Sequence, residues 1–343
     1  MEGRTGQTAI TLIVAAGLLS AVTVQAAGSL SRLSGSNRLG TAIAVSQRLI
    51  IANDGAGAVL IARSDNFADA LSASSLAGLL SAPILLTPPG QSLDAAVRSE
   101  LDRVLPPGGT VIIAGGGAAV SASVDSELQG TYAVERLAGA NRYETSRLIK
   151  VRGDQARGIE SDTVIVASGT SFPDALAASS YAAFAGVPIL LSKKEALPPE
   201  TQSALSSSVN AAFVIGGPAA LTQNVQDSVE SVIGNLSQRI YGQDRYETAV
   251  ATADFFFANP VAISLAVGAN FPDALAGGVL AGKSALSPFG MPILLTKTST
   301  VPAVLDTYLR SHAGTIDDVT SGYVFGGTAA IDEVVKDALE KII

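Results

Sequence analysis

The chain has 343 residues, room for two or three domains, and its 48% hydrophobic against 15% charged content excludes general disorder. A net charge of −8 and a pI of about 4.7 exclude broad nucleic-acid binding and a polybasic membrane patch, both of which need a basic footprint. The absence of cysteine excludes disulfides, thiolate catalysis and cysteine-based metal sites.

The first element is an address. Arg4 precedes an apolar run from Ala9 to Val24, and Val24-Gln25-Ala26 resembles a small-x-small cleavage site. The run is short for a span of about 20 residues. Residues 1–27 therefore read as a cleaved export signal, with an uncleaved anchor as the alternative. No second span follows, so the expectation is a secreted, surface-located protein with no stable membrane span after cleavage.

The remainder is one unit written three times. Arg32-Leu-Ser-Gly-Ser-Asn-Arg38 returns as Arg136-Leu-Ala-Gly-Ala-Asn-Arg142 and Arg239-Ile-Tyr-Gly-Gln-Asp-Arg245. Asn66-Phe-Ala-Asp-Ala-Leu71 returns as Ser171-Phe-Pro-Asp-Ala-Leu176 and Asn270-Phe-Pro-Asp-Ala-Leu275. Pro83-Ile84-Leu85-Leu86 returns as Pro188-Ile189-Leu190-Leu191 and Pro292-Ile293-Leu294-Leu295. A Gly-rich turn closes each set, at Gly115, Gly216 and Gly326. A period of about 104 residues is domain-sized, too long for a solenoid repeat. It places the units at 29–130, 131–236 and 237–343.

Within each unit, strands and helices alternate. In the third, Arg239 to Tyr241 reads as a short strand and Asp244 caps a helix reaching Phe257. A strand from Val261 to Val267 precedes a helix opened by Asp273, then a buried strand, Pro292 to Leu295. A helix from Val301 to Arg310, a strand from Gly322 to Phe325 and a helix capped by Asp332 complete it. Such alternation predicts an α/β fold of parallel sheets with helices on both faces. The helix after each Asp-Ala-Leu is apolar all round and rich in small residues. A helix of that kind is buried, which points to three such helices at the centre of a compact pseudo-threefold assembly.

Ligands of open parallel sheets bind at the carboxyl ends of the strands. That places Ser64, Asn66, Thr170, Ser171 and Asn270, together with the Gly-rich turns, in candidate binding loops. The Asp that follows, Asp69, Asp174 or Asp273, reads either as a helix cap or as a ligand contact. Arg38, Arg142 and Arg245 can grip phosphate or carboxylate, or pair with the unit's own Asp or with Glu144 or Glu247. Unit one departs from the others, with Leu39-Gly40 where they carry Tyr143-Glu144 and Tyr246-Glu247. No Gly-rich turn matches a nucleotide fingerprint, and no cofactor or metal is expected. With one histidine, His312, and no cysteine, the usual catalytic sets are missing, so the expectation is a protein without catalysis. Carboxylate glycosidase chemistry stays open through Asp174, Glu144, Asp273 and Glu247.

Taken together, the four landmarks resemble the cell-wall-binding repeat 2 family over nearly all of the chain after the signal. The resemblance implies Rossmann- or Toprim-like units, three of which form a compact anchor on Gram-positive surfaces. In clostridial members the anchor holds S-layer and other surface proteins non-covalently to an anionic cell-wall polymer. The Pro-Ile-Leu-Leu motif is associated with that attachment; physically it reads as buried strand shaping the site from behind. The implied partner is an anionic wall polysaccharide or a teichoic-acid-like polymer, with other surface proteins beside it and no nucleic acid. A self-assembling surface coat and an enzyme acting on envelope glycans are the competing readings.

Overall fold

The computed structural model describes residues 29–51, 55–205, 208–312 and 321–343; residues 1–27, where the sequence leads one to expect an export signal, lie outside them. Repeat one contributes β1 (Ser29–Leu33), α1 (Arg38–Leu49), β2 (Val59–Arg63), α2 (Ala68–Leu79), β3 (Ile84–Thr87), α3 (Ala95–Val104), β4 (Thr110–Ala114) and α4 (Ala122–Gln129). Repeat two follows with β5 (Ala133–Leu137), α5 (Arg142–Arg157), β6 (Thr163–Ser168), α6 (Pro173–Ala185), β7 (Ile189–Ser192), α7 (Pro199–Ala204), β8 (Ala211–Ile215) and α8 (Gln223–Ile233). Repeat three adds β9 (Gln238–Ile240), α9 (Arg245–Phe256), β10 (Ala262–Val267), α10 (Pro272–Lys283), β11 (Ile293–Thr296), α11 (Ala303–His312), β12 (Ser321–Phe325) and α12 (Glu333–Glu340).

These strands form three four-stranded sheets, ordered β3-β2-β4-β5, β7-β6-β8-β9 and β11-β10-β12-β1, and every pairing is parallel. The fold class is the α/β arrangement that the alternation predicts. The first strand of each repeat, however, does not join its own repeat's sheet. β5 pairs with β4 of repeat one and β9 with β8 of repeat two. β1 pairs with β12, Ser29 opposite Ser321 through Leu33 opposite Phe325, and so closes the ring. The reason lies in the chain path: a short helix, α4, α8 or α12, ends beside the outer strand and leaves that edge open. The next short strand fills it in two of the sheets, and β1, from the other end of the described chain, fills it beside β12, because an uncovered edge leaves backbone groups unpaired.

The Pro-Ile-Leu-Leu strands are buried on both faces, as a continuous apolar run requires. Ile84 and Leu86 face a central core shared by all three repeats, whereas Leu85 faces the outer core of its own sheet. Repeats two and three show the same split, with Leu190 and Leu294 turned outward. The central core is built around α2, α6 and α10, most residues of which are buried. Their small residues let backbones touch: a Cβ on Gly78 would lie 2.0 Å from the Ala183 carbonyl oxygen, and one on Gly282 2.5 Å from that of Ser180. At one end, Phe67, Phe172 and Phe271 meet pairwise with ring centroids 5.3 to 6.1 Å apart, marking the pseudo-threefold axis.

Candidate functional site: three clefts between repeats

At the carboxyl ends of each sheet, the two central strands send their connections in opposite directions. That switch point is where open α/β sheets leave a crevice. Because each repeat lends its first strand to the preceding sheet, the motif after that strand arrives at the crevice from the next repeat.

The local folding is the same three times. Asn37, Asn141 and Asp244 each accept two backbone N–H bonds and cap α1, α5 and α9. The cap makes Arg38, Arg142 and Arg245 the first helical residues. Arg38 Nη1 donates to the Ser64 carbonyl at 2.7 Å, and Arg142 and Arg245 donate likewise to the carbonyls of Gly169 and Gly268. Each guanidinium is thereby fixed on its own repeat's strand end and faces the Asp of the preceding repeat. Neither form of the ion-pair alternative left open by the sequence, with the unit's own Asp or with Glu144 or Glu247, is present. Arg142 acts electrostatically on Asp69, Arg245 on Asp174 and Arg38 on Asp273, all across a repeat boundary. Glu144 pairs instead with Arg147, at 2.7 Å, and Glu247 accepts the Gln243 N–H at 2.8 Å.

The three Asp residues do not cap their helices either. The cap position is Phe67, Phe172 or Phe271, with no side-chain cap bond. The carboxylates turn instead under the Gly-rich turns. A Cβ on Gly115 would meet Asp69 Oδ2 at 2.6 Å, one on Gly326 would meet Asp273 Oδ2 at 2.5 Å, and Gly216 stands in the same relation to Asp174. Gly115, Gly216 and Gly326 have φ of +110°, +118° and +103°, a region other residues rarely enter. Burial pushes the Asp69 carboxyl up to about 6, against the opposing pull of Arg63 and Arg142. Burial raises Asp174 and Asp273 as well, opposed by hydrogen bonds from Thr248 and Thr41 and by Arg245 and Arg38.

The resulting clefts measure about 260 Å³ between repeats one and two, about 240 Å³ between two and three, and about 300 Å³ between three and one. Arg142, Asn66 and Asp69 line the first. Arg245, Thr170, Ser171 and Asp174 line the second. Arg38, Asn270 and Asp273 line the third. Of the residues expected in the binding loops, together with the three Arg and three Asp, Ser64 alone is missing: it is buried and contributes only its carbonyl; the carboxylates Glu144 and Glu247 line no cleft either. None of the Pro-Ile-Leu-Leu residues lines a cleft.

Sequence reasoning passed over two sets of residues. Thr41, Thr145 and Thr248 line the clefts and accept the N–H of Gly35, Gly139 and Gly242. Their signal was present, since Thr stands at this offset in every repeat, including the one that lacks Tyr-Glu. Arg32, Arg136 and Arg239, seen only as landmarks, hold the Gly-rich turns from behind by donating to the carbonyls of Gly326, Gly115 and Gly216 at 2.9, 2.7 and 2.8 Å. Among the described residues no group of His, Asp and Glu could hold a metal ion, and no helix is long and apolar enough to cross a membrane.

The family model for Cell wall binding domain 2 matches this chain three times, over residues 32–125, 136–226 and 239–336. The chain belongs to that family. It is 29% identical over 325 residues to the N-acetylmuramoyl-L-alanine amidase LytC of Bacillus subtilis, covering 94% of this chain and 60% of that protein. It is 32% identical over 285 residues to the amidase enhancer of the same organism, covering 82% of this chain and 36% of that one. The chain thus spans less than two thirds of the curated relatives it matches. Among solved structures, Cwp6 from Clostridium difficile superposes with a TM-score of 0.82 at 28% identity, over 92% of this chain and 48% of Cwp6. The matched segments start at the Arg of each short strand, so the family unit has the same phase as the sequence repeat and runs across the sheet boundary.

Proposed function

We propose that this chain is a non-catalytic wall-binding body whose inter-repeat clefts take an anionic cell-wall polymer and hold the protein non-covalently at the cell surface. The observation that carries this reading is the triple recurrence of one cleft, each with an arginine fixed at a capped helix start and aimed into it. Arginine at a helix N-terminus is suited to phosphate or carboxylate groups. Clefts of this size open onto one end of a rigid body, where a repetitive polymer can lie across more than one of them, and several weak contacts on one body gain affinity through effective concentration. The buried Asp beneath each Gly-rich turn shapes the cleft wall and does not by itself attract an anion.

Membership in the Cell wall binding domain 2 family supports the wall as the location, and the apolar segment at residues 9–24 supports export. Partner surface proteins would be held through the same attachment. The test is co-sedimentation of the mature chain with purified cell walls, intact and stripped of their anionic polymer. The expected result is retention on intact walls that falls with added salt. Equal retention on stripped walls would overturn the reading.

A further inference from the structure

The three clefts are not chemically equal, and the difference is written in a correlated set of substitutions. In repeat two, the Tyr143 ring and the Arg142 side chain lie against Gly169: a Cβ there would sit 2.7 Å from Tyr143 Cε1 and 3.2 Å from Arg142 Cδ. Lys193, the second residue after the Pro-Ile-Leu-Leu strand motif, lies over that ring with Nζ 5.9 Å from its centroid. Repeat three repeats the arrangement. Gly268 is flanked by Tyr246 Cε1 at 2.8 Å and Arg245 Cδ at 3.1 Å, and Lys297 Nζ stands 5.7 Å from the Tyr246 centroid. Repeat one replaces all three partners together: Leu39 for the tyrosine, Ser64 for the glycine and Pro88 for the lysine. The changes are physically linked. Without the ring there is space for a Cβ at position 64, and without the ring a lysine has no aromatic face to lie on.

We propose that the Tyr-Gly-Lys set is a cation shelf that places a second positive charge beside the cleft arginine, so that the chain carries two strong polyanion sites and one weak one. This rests on the wall-binding reading above. The strong sites are the Arg142 cleft between repeats one and two and the Arg245 cleft between two and three. The latter gains further from Lys194, which lines it directly. The weak site is the one at the ring closure. There Arg38 is the sole cation among the lining residues, and repeat one supplies no lysine to its rim. The two shelves also differ from each other. Glu200 lies close enough to Lys193 to interact with it and accepts from the Asn141 amide at 2.8 Å, whereas Val304 stands at the corresponding place in repeat three. Lys297 is therefore the stronger of the pair.

The test uses the full mature chain and purified cell walls of the producing bacterium, with wall affinity measured against salt for K193A, K297A, K297R and the shelf-building triple variant L39Y/S64G/P88K. K297A should lose on the order of tenfold in affinity, because removing one of two tethered contacts forfeits an effective-concentration factor. K193A should lose less, K297R should keep most of the affinity, and the folded triple variant should bind more tightly than the parent. R38A should cost less than R245A. If the parent binds walls but both lysine variants bind as it does, or R38A costs as much as R245A, the proposal is overturned while the wall-binding reading stands. If the parent itself fails to bind, the failure belongs to that earlier reading. Circular dichroism and thermal melts confirm that each variant is folded.

Discussion

The Arg32 guanidinium donates to the carbonyl of Gly326 at 2.9 Å, joining the first described strand to the last Gly-rich turn. The same arginine pairs with Glu333 at 2.9 Å, and Glu340 accepts the Leu30 N–H at 2.8 Å. The ring of three sheets is thus closed by a strand and three polar contacts rather than by a covalent link. Deletion of residues up to Leu33 should uncover the edge of β12 and lower the melting temperature by several degrees, since about 1 kcal/mol shifts a domain-sized unit by 2–8 °C. Hydrogen exchange should show the amides of β12 losing protection before those of β4 and β8. Loss of protection spread evenly over all three sheets would contradict a local closure.

Gly115 combines a φ of +110° with a carboxylate where its Cβ would be. The Gly115→Ala variant meets backbone strain and a clash together, so it should lose about 2–4 kcal/mol of stability. Gly116, around which no atom stands within 4 Å of a built Cβ, should tolerate alanine with little change. Denaturant titration of the two variants checks the contrast; similar losses at both positions would show that Asp69 does not pack against the turn.

Asp69 gives stability a pH slope. Its folded pKa, about 6, lies above the ordinary 3.8, because burial disfavours the charged form. Between those values the folded chain holds the proton more tightly than the unfolded one, so stability falls as pH rises through the window. Above pH 6 the buried carboxylate costs on the order of 3 kcal/mol relative to an unshifted one. D69N should accordingly be more stable than the parent at pH 7 and nearly equal to it at pH 4. Chemical denaturation at pH 4, 5, 6 and 7 measures this, and an unchanged slope in D69N would assign it to other groups.

The central helices set a fourth expectation for stability. A side chain on Gly78 runs into the Ala183 backbone, which cannot move without separating α2 from α6. G78V should cost more than about 3 kcal/mol, at the high end of overpacking effects. Ser126 lies on an exposed helix surface, and S126V should stay within about 0.5 kcal/mol of the parent. Thermal melts of both variants decide.

Much of this architecture is legible in the residues. The apolar, small-residue helices after Asp-Ala-Leu could only be central, because a helix without a polar face has no side to give to water. Pro-Ile-Leu-Leu could only be a buried strand, although it lies at the edge of each sheet, where helices and the central core cover it, and the alternation of elements entails parallel pairing. Asp244 was readable as a cap, because its two N–H partners lie two and three residues ahead. The roles of Asp69, Asp174 and Asp273 were not. An acid at a helix start resembles a cap, and only the position of the Gly-rich turn, some 45 residues on in repeat one, shows where the carboxylate goes. The facing of each arginine toward the preceding repeat's aspartate was not legible for a related reason: the ion-pair alternative open from the sequence was with the unit's own Asp or Glu, because repeats suggest that each motif serves its own unit.

By itself the sequence determined the triplication, the class of fold and which helices are buried, since these follow from local periodicity and the apolarity of each segment. The tertiary structure alone decided that each repeat completes the sheet before it. Strand exchange of that kind leaves composition and periodicity unchanged, because a short strand has the same residues whichever edge it fills. From that one decision follow the clefts between repeats, the facing of each arginine toward its neighbour's aspartate, and the position, at the closure of repeats three and one, of the cleft whose arginine belongs to the repeat without tyrosine and lysine.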